Sequence, residues 1–254
     1  MIGAGLAAWC RRPATALAAL ILCAIAWSAA AAESQVSGDY DAQGRSAQGQ
    51  AYQGAVRIAP LGQGYGIAWR LAGGDTYRGV ALKVDSVLGA VYWSDRQRLD
   101  GLGIVLYRID GGELQGLWMP ARADATVIGR ENLKGSPDLA GSYQITLGEN
   151  PDNMTNYDGH VEIARQGDTY RLEWFTPGLS AVGNGIRLGD ILVVGYAVGQ
   201  APGTVGYCVT EMGLLGLWSF GQETALGKEV LRRQGVSAAP SPEADSQQAG
   251  CAPK

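Results

Sequence analysis

The sequence is poor in the residues that most active sites and metal centres need. It contains one histidine, His160, and four cysteines among 254 residues. A Ser/His/Asp triad would have to use that histidine, and no nucleophile-elbow motif accompanies it. The acid-rich stretch 150–158 fails the spacing of a calcium-binding EF-hand loop, because position 165 is an arginine where an acid is required. We therefore expect no catalytic residues, no metal site and no cofactor, in a protein that is not an enzyme.

Cysteine and helical periodicity are scarce as well. Cys10 and Cys23 lie in the apolar N-terminal segment, so its cleavage would leave only Cys208 and Cys251. Two cysteines exclude a disulfide framework, and burial of Cys208 is favoured over a Cys208–Cys251 bridge. No stretch beyond the N-terminal segment shows the 3.6-residue apolar repeat of a capped helix.

The first 32 residues have the pattern of an export signal. Arg11 and Arg12 precede the apolar stretch 14–27, and small residues at 28–32 suit signal peptidase. Cleavage predicts a periplasmic or secreted protein, and an uncleaved membrane anchor is the alternative. Loss of the two arginines would change the formal net charge from -4 to -6, which disfavours nucleic acid and anionic lipid as partners.

What the chain does contain is an internal duplication. The stretch 38–133 recurs, with different polar residues, as 141–231. Val56, Ile58 and Trp69 recur 105 residues later, and Val105 and Trp118 recur 100 residues later. Such self-similarity is the sequence signature of a repeated structural unit.

Each copy has the two-residue apolar alternation of half-buried antiparallel strands, interrupted by short turns rich in Gly, Asp and Pro. Seven or eight short strands in a copy favour a meander that closes on itself, because closure removes exposed sheet edges. The predicted fold class is all-β, with two tandem copies of a small antiparallel up-and-down barrel and no substantial helix outside the signal segment. The strands predicted in the first copy are Gly38–Tyr40, Ala51–Ile58, Tyr65–Trp69, Thr76–Lys83, Leu88–Trp93, Ile104–Ile109, Glu113–Trp118 and Asn132–Leu133.

The duplication also predicts the domain organisation. We expect a signal peptide at 1–32, a first barrel at 33–134, a second barrel at 135–234 and a disordered polar tail at 235–254. The stretch 134–140 between the copies is too short to let two domains tumble freely.

The second copy carries the motifs Gly141-Ser-Tyr143, Gly148-Glu-Asn150-Pro-Asp152 and Tyr157-x-Gly159-x-Val161. In these motifs the chain resembles a family of small exported bacterial β-proteins, some of which carry the label fibronectin-binding protein. The resemblance implies the fold and export, and it implies no catalytic residues. Asn153 stands where the family has a glycine, and the first copy departs further, with Asp41–Gly44 at this turn.

One acidic position is kept in both copies, as Glu131 and Glu229. We expect each of these to be a buried structural carboxylate that pairs with Arg130 or with a backbone amide. His160 has Ala55 as its counterpart, and we expect it to face solvent on a strand.

The aromatic residues shared by the copies are the best candidates for ligand binding. An eight-stranded barrel leaves room for side chains or for one small ligand, so the rings either fill the interior or line a cup. We expect an exported binding module that contacts an extracellular or envelope protein through a Tyr-rich surface; the alternative is a periplasmic carrier of a small apolar ligand. Cavity size distinguishes the two hypotheses: a filled interior favours the binding module, and an open cup favours the carrier. The candidate ligand-binding residues are Tyr65, Trp69, Trp118, Tyr170, Trp174 and Trp218.

Overall fold

The computed structural model describes residues 36–235, except 95, 97–99, 122–126, 152–154 and 178. The signal segment, the tail from 236 onward and Cys251 lie outside the described residues. All regular secondary structure in the described chain is β-strand. It contains no helix that is long and apolar enough to cross a membrane.

Sixteen strands are formed by the described residues, and they include every strand predicted for the first copy. Alternating side chains place apolar residues inside and polar residues outside along most of them. The strands are β1 (Gly38–Arg45), β2 (Ala51–Leu61), β3 (Gly64–Leu71), β4 (Thr76–Val84), β5 (Val87–Ser94), β6 (Gly103–Asp110), β7 (Glu113–Pro120), β8 (Gly129–Gly135), β9 (Gly141–Glu149), β10 (His160–Gln166), β11 (Thr169–Thr176), β12 (Leu179–Leu188), β13 (Ile191–Val198), β14 (Gly203–Thr210), β15 (Gly213–Phe220) and β16 (Gly227–Arg233).

The strands form two closed eight-stranded antiparallel barrels, which confirms the predicted fold class. Strands β6 to β13 form a continuous meander that closes where β13 pairs with β6. We call it the inserted barrel. Strands β1 to β5 and β14 to β16 form the outer barrel, which closes through the pairs β5–β14 and β1–β16.

The barrels do not coincide with the sequence copies. Copy one supplies β1 to β8 and copy two supplies β9 to β16, so each barrel takes five strands from one copy and three from the other. The division expected at 134/135 lies inside the inserted barrel, where Gly135 at the end of β8 pairs with Tyr143 of β9. It separates the two copies and not the two barrels. The chain passes between barrels in the β5–β6 and β13–β14 connections.

The two barrels pack against each other through their exterior surfaces. Strands β5, β6, β13 and β14 each begin with five or more consecutive buried residues, because one face lies in a barrel interior and the other in this interface. Gly89 permits the close approach, since a Cβ there would lie 2.5 Å from Cγ1 of Val193. Cys208 is buried among the apolar residues of this interface, as expected.

Polar groups within the interface are satisfied. Asn184 of β12 donates from Nδ2 to Ser219 Oγ on β15 at 2.5 Å, and the backbone carbonyl oxygen of Asn184 accepts from Thr204 Oγ1 at 2.9 Å. At the edge of the interface, Arg108 and Asp85 form an ion pair of 2.7 Å. The buried hydrogen bonds of Asn184 set the relative position of the two barrels more specifically than apolar contact alone.

The insertion predicts which fragment of the chain folds alone. A fragment from Asp100 to Gly199 keeps all eight strand pairings of the inserted barrel, whereas 135–234 separates β13 from β6 and β14–β16 from β1 and β5. We expect the first fragment to melt cooperatively and the second, which the duplication alone would favour, to melt without a sharp transition. Circular dichroism with heating measures both. If 135–234 melted cooperatively, and at a higher temperature than 100–199, the strands of one sequence copy would close a barrel by themselves.

Candidate functional site

Each barrel has an open cavity lined by aromatic side chains around one buried glutamate. The cavity of the outer barrel has a volume of about 360 Å³, and that of the inserted barrel about 240 Å³. We call them the Glu229 cup and the Glu131 cup. The Glu229 cup is lined by Ser46, Gln50, Tyr52, Trp69, Leu71, Asp75, Tyr77, Tyr92, Val205, Tyr207, Trp218, Phe220, Glu223 and Glu229. The Glu131 cup is lined by Val105, Trp118, Glu131, Asn150, Tyr157, Trp174, Thr176, Pro177, Ala181 and Tyr196.

The Glu229 carboxylate accepts three hydrogen bonds. Its Oε1 accepts from the Tyr207 hydroxyl at 2.5 Å and from Trp69 Nε1 at 3.2 Å. Its Oε2 accepts from the Tyr52 hydroxyl at 3.1 Å. The glutamate is 4% exposed, so these donors replace most of the water that an accessible carboxylate would bind.

The Glu131 carboxylate repeats this arrangement atom for atom. Its Oε1 accepts from the Tyr107 hydroxyl and from Trp174 Nε1, the latter at 3.0 Å. Its Oε2 accepts from the Tyr157 hydroxyl at 2.9 Å. The same donor types therefore occupy the same positions in both barrels.

Each cup is assembled from both sequence copies. Tyr52, Trp69 and Tyr92 of the first copy meet Glu229 and the ring residues of the second copy in one cup. The other cup has the reverse composition. The duplication pairs equivalent residues of the two copies, but it assigned each set to its own barrel and so did not predict that the sets meet across the copies. The six pairs kept by the two cups are Tyr52 and Tyr157, Trp69 and Trp174, Tyr92 and Tyr196, Tyr207 and Tyr107, Trp218 and Trp118, and Glu229 and Glu131.

Strand geometry explains why each glutamate points inward. Neighbouring residues of a strand face opposite sides, so Glu131 is buried while Arg130 is exposed. Burial of Glu131 is confirmed, but the expected pairing with Arg130 or with a backbone amide is wrong, because its hydrogen-bond partners are tyrosine and tryptophan side chains. Glycine opposite each glutamate makes room for a ring: a Cβ at Gly44 would lie 2.2 Å from Cζ of Tyr52.

Burial sets the protonation chemistry of the cups. Burial raises the pKa of both glutamates, and the three donors to each carboxylate offset part of that rise. Burial, followed by the charge of Glu229, raises the pKa of Tyr52 and Tyr207. The phenols are therefore neutral donors at neutral pH, and each cup presents one acidic group at its floor.

The structure places the candidate ligand-binding residues of the sequence analysis in different surroundings. Trp69 and Trp218 line the Glu229 cup, and Trp118 and Trp174 line the Glu131 cup. Trp174 is buried, whereas Trp218 is half-buried.

Tyr65 and Tyr170 are buried, but they are not among the residues that line either cup. His160 is exposed at the start of β10, as expected, and stacks on Phe175 with ring centroids 4.7 Å apart. No group of three or more potential metal ligands occurs within the described ranges.

The two cups differ in the surroundings of one tryptophan Nε1. Trp118 Nε1 donates to the carbonyl oxygen of Glu149 at 3.2 Å. Its counterpart Trp218 packs edge-on against Tyr52, and its buried Nε1 has no hydrogen-bond partner among the described residues. The larger cup therefore keeps an unsatisfied donor in its wall.

Glu229→Leu should destabilise the protein by about 3 kcal/mol or more, because three buried donors would lose their acceptor at about 1–3 kcal/mol each. Glu229→Gln should cost about 1 kcal/mol. The Gln carbonyl can accept from Trp69 and Tyr207, and its amide can donate to a rotated Tyr52 hydroxyl. Urea denaturation measures both, with Glu162→Leu on an exposed strand face as the control. Equal effects of Leu and Gln would contradict this account of the carboxylate.

The raised pKa values also predict a pH dependence. A folded pKa above the unfolded value stabilises the fold below the unfolded pKa, and this stabilisation is lost as the pH rises through the folded pKa. The double variant Glu131→Gln, Glu229→Gln cannot titrate at these positions. The free energy of unfolding of the wild type, relative to the double variant, should therefore fall as the pH rises from about 4, the pKa of an unfolded glutamate, through the raised pKa of the folded carboxyl groups. Urea denaturation at several pH values tests this, and a difference that grows with pH would reverse the sign.

Comparison of the chain with models of protein families, with curated proteins and with solved structures finds no match. The resemblance to exported bacterial β-proteins therefore stays a hypothesis based on the motifs of the second copy. The functional argument depends on the two cups themselves.

Proposed function

We propose that the protein binds small molecules in the Glu229 cup and the Glu131 cup. The observation that carries this proposal is that both barrels remain open where their shared aromatic residues converge. The volume of the Glu229 cup, about 360 Å³, falls within the range of about 300–1,000 Å³ typical of ligand pockets, and that of the Glu131 cup, about 240 Å³, lies just below it. A barrel selected only for stability would fill this space with side chains.

Retention of the cup in both barrels supports the same conclusion. Rings at five positions and the glutamate are kept as pairs, while most polar residues of the copies differ. A carrier or scavenger role without turnover, outside the cytoplasm, agrees with the export pattern of residues 1–32 and with the scarcity of ionisable groups.

The described surface gives little support to the first hypothesis, contact with an extracellular or envelope protein through a Tyr-rich surface. All eleven tyrosines lie within the described residues, and each is buried or half-buried. Phe175 is the one exposed residue among the described phenylalanines, tyrosines and tryptophans. A fibronectin-binding-like role therefore stays a prediction from the resemblance, and the cavities favour the small-molecule alternative.

Saturation-transfer NMR with a library of small aromatic and aliphatic fragments tests the proposed function. We expect a subset of fragments to bind the wild type and to lose most of their signal in the variant Trp118→Ala, Trp218→Ala, which removes a wall of each cup. Phe175→Ala, outside both cups, is the matched control. Failure of every fragment to bind, or equal binding by the folded double variant, would refute small-molecule binding at the cups.

A further inference from the structure

We propose that the Glu229 cup recognises an organic ammonium cation, preferentially one whose nitrogen is methylated. The inference rests on the proposed small-molecule function and specifies the chemistry of its ligand. It follows from the charge, the ring arrangement and the hydrogen-bond occupancy of this cup.

Charge is the first argument. Three carboxylates line the cup: Glu229 at the floor, with Glu223 and Asp75 nearer to solvent. Its described lining includes no lysine, arginine or histidine. Arg45, Lys228 and Arg96 line two adjoining grooves that share Asp75 with the cup, but they are not among the residues that line the cup itself. A cleft lined by charges of one sign attracts ligands of the other sign, and here the favoured ligand is cationic.

The rings are the second argument. Tyr92 is the centre of a connected wall, with ring centroids 5.8 Å from Trp69, 5.8 Å from Tyr77 and 6.1 Å from Phe220. Trp218 contacts Tyr52 at 6.0 Å on the same cup. With Tyr207, seven rings around one cavity form a cage in which a cation can lie against aromatic faces, an arrangement suited to ammonium groups.

The hydrogen bonds that Glu229 already accepts decide which ammonium group fits best. Its carboxylate already accepts three hydrogen bonds, so it offers negative charge more readily than free acceptor sites. A primary ammonium loses hydrogen bonds to water and needs acceptors to replace them. A quaternary ammonium has no N–H to satisfy and loses less when it enters the cage.

The Glu131 cup provides an internal comparison. By strand register, Ala181 stands where the Glu229 cup has Tyr77, and Pro120 stands where it has Phe220. Glu131 is the one carboxylate among its lining residues. The smaller cup therefore has fewer rings and less negative charge, and we expect weaker binding of the same cation there.

Isothermal titration calorimetry of the full chain with choline and with its neutral isostere 3,3-dimethylbutan-1-ol tests the inference. We expect choline to bind at least about tenfold more tightly than the neutral alcohol at the same ionic strength, within the range that a desolvated cation–π site allows. Butylammonium should bind more weakly than choline. Equal affinity for choline and the alcohol, or tighter binding of the alcohol, would overturn the proposal.

Variants locate the effect in the Glu229 cup. Glu229→Gln removes the charge and retains the acceptor for Trp69, so choline affinity should fall about tenfold while affinity for the neutral alcohol changes little. Phe220→Ala removes a ring at the edge of the cup, independently of the buried network, and should also weaken choline binding. Glu162→Gln removes an exposed charge on another strand and should leave it unchanged.

The outcomes for the two proposals are distinct. Fragments that bind in the NMR experiment while choline does not would refute cation recognition and leave the small-molecule function intact. Choline binding that is unaffected by both Glu229→Gln and Phe220→Ala would place the cation outside this cup and refute the inference. If no fragment binds and choline does not bind, both proposals fail.

Discussion

A carboxylate buried inside a barrel is the constraint on which the rest of this structure depends. An ionised group removed from water is costly unless several donors surround it. Glu229 receives its donors from β2, β3 and β14, whose residues lie 177, 160 and 22 positions away in the chain. Only a closed barrel brings these strands together, so closure and satisfaction of the carboxylate occur as one event.

The same requirement shapes the cups. A ring that donates to a buried carboxylate must point inward, and two tyrosines and a tryptophan around one glutamate leave a wide aromatic surface above it. Neighbouring rings such as Tyr92 then extend this surface toward the opening. A network that stabilises the barrel thus also gives the cup its aromatic walls and negative floor, and variants that disturb one property disturb the other.

The insertion of one barrel into the other has a consequence for how the cups vary. Phe220 and Glu223 belong to the second copy, yet they line the cup of the barrel that the first copy begins. Changes in the last three strands of either copy therefore alter the binding site of a barrel that is otherwise built by the other copy. The interface through β5, β6, β13 and β14 joins the two barrels into one packed body.

Much of this organisation was predictable from local sequence. Alternating apolar residues such as Val56 and Ile58 predicted the strands, because half-buried strands require that period. The duplication predicted two equivalent units, and the shared Glu131 and Glu229 predicted buried carboxylates. Local sequence carried these features because strand formation and side-chain burial depend on neighbours a few residues apart.

Tertiary structure alone decided which strands close each barrel and where the cups lie. Since the copies present equivalent strand edges, β5 can pair with either β6 or β14, and the periodicity is the same for both. The first five residues of β13 are all buried, because one face of the strand lies in the interface between the barrels. Their burial therefore does not show which side chains face the barrel interior. Donors to Glu229 come from both copies, so the site exists only after long-range pairing has selected one closure over the other.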